Sequence, residues 1–129
     1  MMDAADVWVE LDGAVRWGAR ASALTVHAPG LVDVLFPPDG VCDLVVRAVA
    51  AEGLLRLAVE GMEPREGAAV AALLDLADGL GNAPMGVRRR RAAAALGVTH
   101  WALEKPARRE GLLLALAVEV CRVAAYTAR

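Results

Sequence analysis

Apolar and polar positions alternate through much of the first part of the chain. Val7, Val9 and Leu11 are separated by Trp8 and Glu10, a period of two that predicts a half-buried strand closed by the turn signal Asp12-Gly13. A second strand is expected within Ala19–His27, where Leu24 and Val26 alternate with Thr25 and His27. A third, Leu31–Phe36, stops at Pro37-Pro38-Asp39-Gly40, since proline removes a ladder donor and glycine permits positive φ. Val41–Val49 places Cys42, Leu44, Val46 and Ala48 on one face. Beyond Glu52-Gly53, Leu55, Leu57 and Val59 alternate with Arg56, Ala58 and Glu60, which predicts a hairpin with Leu57 in the core. Short strands at this spacing indicate an antiparallel sheet or small barrel. Pro64 suits the first turn of a helix carrying Val70, Leu73, Leu74 and Ala77 on its apolar stripe and ending at Gly79, placed to cap one end of the barrel.

From Gly81 the pattern changes. Asn82–Gly86 reads as a linker, and Val87–Leu96 as a helix with Arg88, Arg89, Arg90 and Arg91 in its first turns. Gly97 is a natural C′ residue and Thr99 a natural N-cap, so helix, glycine turn and helix follow one another as in a helix-turn-helix. Pro106 falls inside the second helix, which is therefore two turns long or kinked, with Pro106 opening another helix. In Ala107–Arg129 the residues Leu112, Leu113, Leu116, Val120 and Val123 form one stripe, and Leu114 and Val118 a second apolar face. A helix apolar on two sides predicts burial on both, either between the β-domain and the helix-turn-helix or in a homodimer, the latter favoured because two-fold DNA sites are read by two-fold proteins. The expected fold class is α+β: residues 1–80 an antiparallel β-barrel or sheet with a capping helix, residues 81–129 a helical segment ending in a long apolar helix.

Composition sharpens the division. The 129 residues suffice for one domain, or one with a helical appendage. Apolar residues make up 57%, but 28 of them are alanines, and aromatics are only 4%, so the core must be aliphatic. Residues 1–81 hold 5 arginines against 13 carboxylates, a net of −8, whereas residues 82–129 hold 9 Lys plus Arg against 3 Glu, a net of +6. The basic part predicts an anionic partner that the overall charge of −2 conceals. No apolar run approaches the 18 or so residues of a membrane span, and Met1–Asp6 lacks a secretory start, so a cytoplasmic protein without membrane insertion is expected. Cys42 and Cys121 are too far apart for a zinc knuckle or CxxC centre and read as buried thiols. Ser22, His27 and His100 form no triad or metal-ligand spacing, and no phosphate loop is present; neither an enzyme nor a metal site is expected.

Two resemblances add to this reading. Residues 7–78 resemble a PilZ-type domain, a small bacterial β-barrel with a closing helix that often binds cyclic di-GMP; the best stretch is Leu31–Leu76. Of the family's DxSxxG segment, Thr25-Val26-His27-Ala28-Pro29-Gly30 keeps only the glycine. Arg16 and Arg20 have the RxxxR spacing but follow the first strand instead of preceding it. If a cyclic dinucleotide binds, the resemblance implies Arg16, Arg20, His27 and Gly30 as its candidate contacts; no other cofactor is implied. Arg91–Leu103, continuing through Arg108–Leu112, resembles the Fis-type helix-turn-helix of bacterial enhancer-binding regulators, over residues 87–112 in all. That resemblance implies base-edge contacts from Thr99, His100, Trp101, Glu104 and Lys105, and backbone contacts from Arg88–Arg91. The function expected is a small DNA-binding regulator with an N-terminal sensing or interaction domain. The alternative is a PilZ-like adaptor acting through a protein partner without DNA.

Overall fold

The computed structural model describes residues 2–127, and every regular element among them is a helix. In chain order these are α1 (Ala4–Ala14), α2 (Ala21–His27), α3 (Pro29–Leu35), α4 (Leu44–Glu60), α5 (Pro64–Leu73), α6 (Met85–Leu96), α7 (His100–Leu103) and α8 (Pro106–Thr127). The expected β-barrel, and with it the PilZ resemblance, is overturned: no strand occurs among the described residues.

The reason lies in which positions the helix period selects. Val7, Leu11 and Ala14 are fully buried at i, i+4 and i+7, while Val9, the odd member of the alternating set, is 59% exposed. In α4 the buried set is Ala48, Ala51, Leu54, Leu55 and Ala58, and Leu57, expected in the core, is 51% exposed. Glu52-Gly53, expected as a turn, lies inside α4. Alanine favours the helix at every such position, and residues four apart satisfy both periods.

Local stereochemistry sets the ends. The Asp3 carboxylate caps α1 by accepting from the Ala5 N–H at 2.8 Å, and Asp43 caps α4 by accepting from the Val46 N–H at 2.9 Å. Pro37–Gly40 breaks the chain between α3 and α4, where Asp39 accepts from the Val41 and Cys42 amides. Cys42 is exposed there, contrary to the expected buried thiol, whereas Cys121 is half-buried and desolvation, with the Asp3 charge, pushes its thiol pKa up. Pro64 opens α5 as expected, with Glu63 as its N-cap, but α5 ends at Leu73, ahead of Gly79.

The core is one continuous aliphatic cluster that crosses residue 81. Helix α8 lies against α1, α4 and α5, and α5 pairs extensively with α6. α8 carries Arg108, Arg109, Glu110, Glu119 and Arg122, and Leu114 and Val118 of the second apolar face are exposed, so it is amphipathic and not the long apolar helix expected; among the described residues no helix is long and apolar enough to cross a membrane.

Candidate nucleic-acid interface

The α6–α7 corner follows the sequence closely at the turn. Gly97 closes α6 at φ 68°, a left-handed conformation that glycine enters without the Cβ penalty of other residues. The Thr99 hydroxyl then accepts from the Ala102 N–H at 3.1 Å and caps α7, and Leu103 anchors α7 in the core at 2% exposure. α7 ends there: it is a single turn, and Pro106 begins α8.

The four arginines of α6 have separate fates. Arg88, expected on the nucleic-acid face, is only 3% exposed. Its Nε donates to the Ala83 carbonyl at 3.0 Å, Nη1 to Val15 at 2.7 Å and Leu73 at 2.5 Å, and Nη2 to Arg16 at 2.9 Å. It thus ties the end of α1, the end of α5 and the linker to α6. Burial lowers its pKa, and the nearby Asp75 carboxylate opposes that shift. Asp75 itself sits at φ 60° and accepts from the Asn82 and Ala83 amides at 2.7 and 3.3 Å. Arg89 pairs with Glu104 at 2.8 Å, joining α6 to α7. Arg90 and Arg91 are exposed and paired with no carboxylate among the described residues.

Around the corner, Trp101 is 77% exposed and meets the His100 ring edge-on at 5.7 Å. His100 Nε2 is 3.4 Å from the Glu104 carboxylate. Lys105 and Arg108 are exposed and line an open groove with Leu96 and Leu112. Arg108 lay within the matched stretch but was not among the expected contacts; its exposure depends on the phase of α8, which Pro106 resets.

The residues implied for a cyclic dinucleotide are engaged within the chain. Arg16 lies 5.0 Å over the Trp17 ring, and Trp17 stacks on His27 at 3.9 Å, so the indole faces are engaged within the chain. Arg20 donates from Nε to the Asp75 carbonyl at 2.7 Å, and Gly30 lies against the Glu10 carboxylate. Without a barrel, the positions that the resemblance assigned to the nucleotide lose their common frame.

The stripe expected to dimerise is covered inside one chain. Leu112, Leu113, Leu116 and Val120 are buried and Val123 half-buried in the shared core. An exposed apolar face lies on α4, where Val45, Val46, Val49, Ala50, Gly53 and Leu57 point to solvent; on α8, Leu114 and Val118, expected to be buried, are exposed as well. Sequence reasoning missed the α4 face because it placed its residues on strands.

Comparison with protein-family models, curated proteins and solved structures finds no match. The Fis-type resemblance is corrected on the geometry: α7 is one turn, and Arg88 faces inward.

Proposed function

We propose that this chain is a small DNA-binding regulator that contacts the duplex backbone through the cations of α6 and of the α7–α8 junction. One observation carries the reading. When intramolecular pairing is removed, the charges left on described residues 82–127 are Arg90, Arg91, Lys105 and Arg108 against Glu110 alone. The other cations of this part are engaged: Arg88 by carbonyls, Arg89 by Glu104, Arg109 by Asp12 and Arg122 by Glu119. Cations free of carboxylate partners suit phosphate contact, which positions a protein on the duplex without reading its sequence. A one-turn α7 offers little length to the major groove, so the binding expected is chiefly backbone-directed and weakly sequence-selective.

Four phosphate contacts give a slope of up to about −3.6 in log affinity against log salt. The test is a fluorescence-anisotropy titration of labelled duplex at two salt concentrations, with wild type and with Arg90→Ala/Arg91→Ala. Losing two contacts flattens the slope by about 2. Absence of duplex binding by the wild type at low salt refutes the proposal.

A second reading, action through protein contact without DNA, is supported by α4. Its outer face from Val45 to Leu57 is mostly apolar, with Arg56 and Glu52 paired on or beside it, and monomeric proteins seldom leave large contiguous apolar patches bare. Ala50 and Gly53 lie at its centre with Val46 and Leu57 spaced equally outside them. An antiparallel crossing with a second copy would set each valine against a leucine and the small residues against each other. Sedimentation distinguishes the case: Val49→Asp converts a dimer to a folded monomer on this reading, and a wild type that is monomeric at high concentration rejects it.

A further inference from the structure

The three tryptophans sit in different settings. Trp8 is half-buried against the core. Trp17 has Arg16 over its ring at 5.0 Å and the His27 ring stacked on it at 3.9 Å. Trp101 is 77% exposed, and among the described residues no ring or guanidinium is stacked over it. His100 meets it at an interplanar angle of 78°, so at most one indole face is touched and the other is open to water. Anchoring does not explain the indole, because Leu103 is the residue that holds α7 in the core.

The backbone keeps Trp101 close to unpaired cations. Beyond α7 the Lys105 N–H donates to the Ala102 carbonyl at 3.4 Å, and the Arg108 N–H to the Lys105 carbonyl at 3.0 Å. Lys105 and Arg108 are exposed, and neither is paired with a carboxylate among the described residues. The carboxylate between them and Trp101, Glu104, is bound by Arg89 at 2.8 Å. Both cations line an open groove of about 610 Å³ with Leu96, Gly111 and Leu112, where Glu66 is the one carboxylate, so the groove is net positive.

Away from its ends a duplex cannot use the indole, because its bases stack on one another and present only their edges. A strand with unpaired bases can. Every base has a π-face, and aromatic stacking beside a cationic groove holds single strands without sequence selection. We propose that Trp101 is a stacking platform for an unpaired base of a DNA strand whose phosphates run over Lys105 and Arg108. The proposal rests on the DNA-binding reading above and adds to it the kind of DNA that this corner takes.

The test measures binding of the full chain, at one low salt concentration, to labelled oligo-dT of about 12 nucleotides, to an abasic strand of the same length and charge, and to a duplex. The wild type should bind oligo-dT at least about fivefold more tightly than the abasic strand. Trp101→Leu should abolish that ratio while leaving abasic-strand and duplex affinities within about twofold of the wild type, and Trp101→Phe should keep part of it. Indole N–H NMR of the wild type locates the contact without a variant: the Trp101 signal should shift with oligo-dT and much less with the abasic strand. Equal wild-type affinity for the two strands overturns the proposal and leaves the duplex reading standing if the duplex still binds. A ratio that survives in Trp101→Leu, or shifts confined to Trp8 or Trp17, overturns it by placing the stacking elsewhere. Absence of binding to all three refutes both.

Discussion

Replacing Arg88 by Met separates a structural arginine from a DNA-binding one. The guanidinium makes four hydrogen bonds to main-chain carbonyls, at 2.5 to 3.0 Å. Two of them, to Val15 and Leu73, are buried, whereas those to Arg16 and Ala83 are partly open to water. Methionine fills a similar volume but donates nothing, so the two buried carbonyls lose a partner at about 1–3 kcal/mol each. The Asp75 carboxylate also loses its nearby countercharge. Water can replace the other two bonds, and methionine avoids desolvating a charge, so a net loss of about 3–5 kcal/mol is expected. Against a total stability of about 5–15 kcal/mol this is a large share, and it lowers the melting temperature by roughly 10–25 °C. Urea unfolding followed by circular dichroism measures it, with Arg90→Met and Arg91→Met as exposed controls that should change stability by less than about 0.5 kcal/mol. If Arg88→Met comes within about 1 kcal/mol of the wild type, the carbonyl cluster is not what holds α6 in place.

Leu55→Ala should cost about 2–5 kcal/mol, because Leu55 is fully buried, and Leu57→Ala less than about 1 kcal/mol, because half of Leu57 already meets water; equal urea midpoints for the two would contradict the helical phase of α4. Burial pushes the Glu52 carboxyl up, but the Ala21 N–H at 2.7 Å and the Arg56 guanidinium at 2.9 Å outweigh it and leave its pKa below the ordinary value. A depressed folded pKa supplies stability above the unfolded value of about 4.3 and loses it as pH falls through the folded one. The urea midpoint of the wild type should thus fall more steeply below about pH 4.3 than that of Glu52→Gln, and parallel profiles would rule the contribution out.

What was legible in the sequence was what neighbouring residues decide among themselves. Pro64 at the start of α5, the Pro37–Gly40 break, the Gly97 turn and the Thr99 cap all stand where local stereochemistry put them. Pro106 opens α8, one of the two outcomes its missing N–H allowed. The class of the first part was not legible from alternation, because Val7 and Leu11 fit a period of two and a period of 3.6 equally. Val9, Val26, Val46 and Leu57 distinguish the two, and all four are exposed. The alanine content was the signal for helix, since alanine has the strongest helix preference and is depleted in strands. The role of Arg88 was illegible for a different reason. Its acceptor on Val15 is 73 residues away, and nothing local to α6 distinguishes it from Arg90.

The position of α8 in the chain has a consequence for synthesis. At 22 residues it is a rod about 33 Å long that lies on α1, α4 and α5, all of which leave the ribosome before it. Until α8 emerges, the α1 and α4 surfaces that it covers have no apolar partner, and an Ala-rich set of short helices has little else to hold it together. The nascent chain therefore passes through a stage in which helices can form but tertiary packing cannot close, a state open to proteases and to other apolar segments. A chain ended at Lys105 should bind a hydrophobic dye and be digested rapidly while the longer chain resists; a protease-resistant product of that length would show that α1–α7 close without α8.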